Sequence, residues 1–164
     1  MVMPSALSAL ADKGNDGISL LSDIGASDKR HEMRVAALTL LAFQTGNSAN
    51  AIPPAKILNV AAKDKSVPVR REATWLASSL FATSQDEGAR TVLLQALVQR
   101  IEDDADCRVR LNALRGFDVG SEKEAGQARA SLAAKLKEIE GARAREALQW
   151  LSAPEALACP KKAT

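Results

Sequence analysis

Three segments of the chain carry the same residue types at the same offsets. Residues 28–37 read DKRHEMRVAA, residues 64–73 read DKSVPVRREA, and residues 104–113 read DADCRVRLNA. Each has an aspartate, then an arginine six positions on, then an alanine three further on, with Met33, Val69 or Val109 just before the arginine. A degenerate fourth copy lies in EIEGARAREALQWL: Glu138 stands for the aspartate, Ala144 for the arginine, and Ala147 keeps the alanine. The positions 34, 70, 110 and 144 are spaced by 36, 40 and 34 residues. A near-constant period of this size defines a supersecondary unit that cannot bury its apolar face alone, so successive units must stack.

Within each period the apolar residues fall into two runs with helical spacing, which predicts a pair of helices per repeat. The first helices are expected at about 16–25, 53–63, 86–102 and 121–138, the second at about 29–45, 66–83, 105–118 and 141–152. Pro53 and Pro54 suit a helix first turn, and Ser66 with Pro68 suits the start of the next. Ser84 or Asp86, and then Gly120-Ser121, are candidate caps for the following first helices. Residues 4–12 are expected to form a leading helix over the first repeat, and 154–164 (PEALACPKKAT) a tail after a single domain of 1–153. Helices rather than sheets are also what the composition favours. Alanine and leucine dominate, aromatics are 3% and tyrosine is absent.

The aspartate, Val-Arg and alanine offsets in a helical-hairpin repeat resemble those of the HEAT and HEAT-like (PBS-lyase-type) repeats, over about residues 16–152. The period is shorter than the usual HEAT length of about 40–47. Tetratricopeptide and ankyrin signatures are missing: there is no tyrosine for the former and no T-P-L-H-x-A for the latter. The resemblance implies an all-α, right-handed α-solenoid (an armadillo-type superhelix) of about four hairpins. It also implies a ladder in which Arg34, Arg70 and Arg110 hold Asp28, Asp64 and Asp104 of their own or the next repeat. The fourth copy, without the strict pair, would be a terminal cap.

Signatures of chemistry are few. His31 is the only histidine, so neither a histidine metal site nor a Ser-His-Asp or Cys-His device is available. No P-loop or G-x-G-x-x-G is present. Adjacent acids such as Glu102-Asp103-Asp104 and Asp86-Glu87 do not face one another and read as helix ends. Cys107 and Cys159 belong to no C-x-x-C pair, and two lone thiols fit a reducing compartment, although one long-range bridge is compatible with the spacing. The N-terminus lacks a signal-peptide pattern and no apolar run is long enough to span a bilayer. A cytoplasmic protein with no cofactor, no metal and no membrane partner is the expectation.

Function is sought where the repeats differ. With the repeat alanine facing the core, positions one, five and eight after the arginine project to the opposite side of each second helix. They are Val35, Thr39 and Ala42; Arg71, Trp75 and Ser78; Leu111, Arg115 and Asp118; and Arg145, Gln149 and Ser152. HEAT-like solenoids line their concave surface with second helices, so the resemblance makes Arg71, Trp75, Arg115, Arg145 and Gln149 the candidate binding residues. Tryptophan bordered by arginine is typical of interface anchors and compatible with nucleic acid. Trp150 falls nearer the core. Apolar Val35 and Leu111 on the same side favour a protein partner. The leading expectation is a non-enzymatic protein- or peptide-binding scaffold. The alternative is nucleic-acid binding akin to HEAT-like alkylpurine DNA glycosylases, against which a net charge of +2 speaks. A weaker one is a bilin lyase-like subunit.

Overall fold

In a computed structural model, which describes residues 3–153 and 159 and the side chains from residue 6 onward, every regular element is helical. The helices are α1 (Met3–Ala11), α2 (Gly14–Ser27), α3 (His31–Ser48), α4 (Pro54–Lys63), α5 (Val67–Thr83), α6 (Glu87–Asp103), α7 (Cys107–Arg115), α8 (Glu122–Lys137) and α9 (Ala142–Ser152). The chain is all-α, with no strand among the described residues.

Local signals account for most of the boundaries. Pro54 opens α4, and Ser66 and Pro68 open α5. Asp86 caps α6 by accepting from the Ala89 N–H at 2.7 Å. Ser121 and Glu124 close a reciprocal capping box on α8. Asp106 caps α7, accepting from the Val109 N–H at 3.0 Å.

Two sets of helices pack as successive neighbours. α2, α4, α6 and α8 contact one another in order, as do α3, α5, α7 and α9, and each helix also packs on its hairpin partner. α1 lies against α2 and α3 through buried Leu7, and Gly17 leaves no room for a Cβ beside the Leu10 carbonyl. The core runs continuously between the two sets. The repeat alanines, Ala37, Ala73, Ala113 and Ala147, are all fully buried, as are Val69 and Val109. Their small side chains let equivalent helices approach. The first helices supply Ile18, Leu21, Ile57, Leu93, Leu97, Ile101, Leu132 and Leu136.

α5 and α7 approach closely. Gly116, just beyond α7, sits where a Cβ would lie 1.8 Å from the Ser78 hydroxyl and 2.4 Å from the Trp75 carbonyl. Ser78 donates to the Asn112 carbonyl (2.8 Å), Ser79 to the Gly116 carbonyl (3.0 Å), and the Asn112 amide to the Arg71 carbonyl (2.9 Å). Ser78 is therefore fully buried in a helix–helix seam and does not project away from the core, as the helical projection had placed it.

A second expectation is overturned. Cys107 and Cys159 are not lone thiols; they form a disulfide across 52 residues of sequence. The redox argument for a reducing compartment lapses with it, because disulfides persist where conditions are oxidising. The rest of the expected tail, 154–158 and 160–164, lies outside the described residues. No helix among the described residues is long and apolar enough to cross a membrane.

Candidate binding groove

The recurring aspartates and arginines form a ladder between hairpins. Arg34 donates to Asp64 through two parallel bonds (Nε–Oδ2 2.9 Å, Nη2–Oδ1 3.0 Å), while its Nη1 donates to the carbonyl of Asp28 at 2.6 Å. Arg70 repeats the arrangement one hairpin on, with Asp104 (3.0 and 3.3 Å) and the Asp64 carbonyl (3.0 Å). Each arginine thus holds the backbone of its own loop and the carboxylate of the next. The planar guanidinium fork is what makes both possible. The aspartates also order their own loops: Asp28, Asp64 and Asp104 accept from the N–H two residues on, at 2.9, 2.8 and 2.9 Å.

The ladder ends where the fourth copy departs from the pattern. Arg110 holds the Asp104 carbonyl at 2.9 Å. Beyond it stands no aspartate, only Glu146 at 3.8 Å, and the Arg110 Nε has no hydrogen-bond partner among the described residues. At the other end Asp28, with no preceding arginine, is taken by Arg30, which pulls its pKa down to about 2.

Beside the ladder, α3, α5 and α7 enclose a groove of about 400 Å³. Val35, Pro68 and Leu111 are its apolar lining, although Leu111 is buried at 3% exposure and does not project outward as expected; Arg71, Glu72, Arg108, Asn112 and Arg115 give it polar surface; and Cys159 lines it as well. Arg71 forms a two-bond ion pair with Asp106 (2.9 and 2.7 Å), holding that carboxyl below the usual carboxylate range. Arg108 and Arg115 are exposed.

Glu72 lies between α5 and α3. Burial pushes its pKa up, against the opposing effect of a hydrogen bond with the Thr39 hydroxyl. Thr39 Oγ1 is 2.9 Å from the Val35 carbonyl and 3.0 Å from Glu72 Oε2. A single hydroxyl hydrogen serves one acceptor at a time. The Thr39 hydroxyl therefore donates either to the Val35 carbonyl or to Glu72 Oε2.

Of the five residues singled out by sequence, Arg71 and Arg115 line the groove. Trp75 stands outside the lining, half-buried, with its ring edge-on to exposed Phe43 at 5.6 Å. Arg145 and Gln149 are exposed on α9 and are not part of this groove. Trp150 is buried, on the core side as expected. Sequence reasoning missed Pro68, Glu72, Arg108, Asn112 and Cys159. The first four fall two positions before or after the motif arginine, a regularity visible in the repeat alignment. No group of three or more His, Cys, Asp or Glu residues among the described residues is placed to hold a metal ion.

The chain matches no protein-family model, no curated protein and no solved structure.

Proposed function

We propose that the chain is a HEAT-like α-solenoid, a single domain over 1–153, acting as a non-enzymatic scaffold that holds a protein or peptide segment along its second helices. The four hairpins would be about 16–45, 53–83, 86–118 and 121–152. The sequential packing of two helix sets and the arginine–aspartate ladder support that architecture. The observation that carries the function is the groove of about 400 Å³ between α3, α5 and α7. It pairs apolar Val35 and Leu111 with peripheral arginines, as binding patches combine apolar surface with orienting polar groups. The exposed Phe43 beside Trp75 extends the surface along α3 and α5. Arg145 and Gln149 on α9 would engage a longer segment.

The arginines also support a second reading, a nucleic-acid strand on the same face. The Arg71–Asp106 ion pair disfavours it, because that guanidinium is already engaged. The test is selection of peptides from a displayed random library on the purified chain, followed by fluorescence anisotropy. Selected peptides should lose on the order of 10-fold in affinity to Arg115→Glu and to Trp75→Ala, as for hot-spot residues, with far-UV circular dichroism unchanged. Failure to enrich any peptide, or equal binding to all variants, counts against the scaffold reading. Tight oligonucleotide binding that weakens steeply with salt would favour the alternative.

A further inference from the structure

The Cys107–Cys159 disulfide is used by none of the foregoing, and its placement is specific. Cys107 is the first residue of α7, and Cys159 arrives from beyond α9 to line the groove. Both residues are half-buried, so the bond is not sealed in the core. Next to Cys107 in the chain is Arg108, an exposed groove residue with no ion pair among the described residues. Arg71 and Arg115 line the same space. Among the described residues, the acidic groups nearby are Asp106, engaged by Arg71, Asp104, engaged by Arg70, and Glu72, which faces Thr39.

We propose that this disulfide is an exchange site addressed through the groove, and that it takes small thiols bearing carboxylates. Cys159 lines the groove and Cys107 does not. The thiolate of the incoming thiol attacks the Cys159 sulfur and forms a new S–S bond there. The Cys107–Cys159 bond breaks, and Cys107 leaves as the thiolate with the electron pair. The step is an exchange with no net oxidation. The negative charge left on Cys107 falls at the N-terminal turn of α7, where the helix dipole and the adjacent Arg108 favour it. A better leaving thiolate speeds the step. The groove arginines draw in an anionic thiol and repel a cationic one. The reaction also frees residue 159 from α7. This inference does not depend on which macromolecule the groove holds.

The test uses the oxidised full chain under native conditions with three probes: glutathione (anionic), 2-mercaptoethanol (neutral) and cysteamine (cationic). Each rate is divided by that of the same thiol on oxidised 2-mercaptoethanol, which removes intrinsic nucleophilicity. At low salt the normalised rate should favour glutathione over cysteamine by on the order of 10-fold. The preference should shrink at high salt, and also in Arg108→Ala. Peptide mass mapping after acid quench should place the glutathione adduct on Cys159. An adduct on Cys107, equal or reversed normalised rates, or exchange only as fast as global unfolding, would each overturn the proposal.

Discussion

At the scale of single residues, the ladder separates aspartates that look identical in sequence. Asp104 is nearly buried, at 6% exposure, and is held by Arg70 with Arg100 close by. Asp28 occupies the same motif position but has no preceding arginine and pairs with its exposed neighbour Arg30. Removing one partner of a buried pair strands the other charge. Asp104→Asn should therefore cost about 3 kcal/mol in urea unfolding, and Asp28→Asn much less. Equal effects would mean that the motif position, not burial, sets the contribution. Glu72 gives the opposite pH behaviour from a salt-bridged acid. Its folded pKa is raised by burial, so the native state holds the proton more tightly than the unfolded chain. Its contribution is intact below the ordinary carboxylate range and is lost as pH rises from there through the raised folded value. Glu72→Gln, which keeps the shape and a donor for Thr39, should raise stability at pH 8 relative to wild type and change little at pH 4. Urea midpoints at the two pH values measure this.

At the scale of elements, most helix boundaries were legible because their signals are local: Pro54, Asp86 and the Ser121–Glu124 capping box act within one turn. The motif arginines and aspartates were legible as well, since recurrence marked them before any contact was known. The groove was not, because it depends on how each second helix is rotated against its neighbours. The projection took positions one, five and eight after the arginine as the outward face. The structure uses positions two before, and one, two and five after, as in Arg108, Leu111, Asn112 and Arg115. The eighth position turns instead toward the adjacent helix, where Ser78 meets the Asn112 carbonyl. α7 ends at Arg115, so Asp118 is not on it at all. This seam gives the element-scale prediction. Gly116→Ala forces a methyl into the Ser78 hydroxyl and the Trp75 carbonyl, and should destabilise by about 1–3 kcal/mol, as overpacking does. Gly126→Ala, at an exposed position inside α8 with open space around it, should stabilise by up to about 1 kcal/mol. Thermal denaturation of the two variants tests both signs, and a neutral Gly116→Ala would show that α5 and α7 can separate without loss.

At the scale of the whole molecule, the repeat predicts near-neighbour stacking, and a linear array has no inherent reason to favour its last unit. Residues near the end are held mainly by what precedes them. The disulfide changes this. It ties the start of α7 to a point beyond α9, enclosing α7, α8 and α9 in a covalent loop of 52 residues' separation. Sequence alone left the pairing open, because it requires α7 and α9 to be neighbours, a fact of packing. In the chain-entropy model a loop of this length stabilises by about 4 kcal/mol, by restricting the unfolded ensemble. α1 to α6 lie outside the loop and keep their ladder pairs when it opens. Reduction should therefore act unevenly. Native-state hydrogen exchange of the reduced chain, or of Cys107→Ser with Cys159→Ser, should show the greatest loss of protection in α8 and α9, and the least in α3 and α5. A uniform loss along the chain would mean that the array unfolds as one cooperative unit. In that case the disulfide stabilises every helix equally, although it touches only the start of α7 and the chain beyond α9.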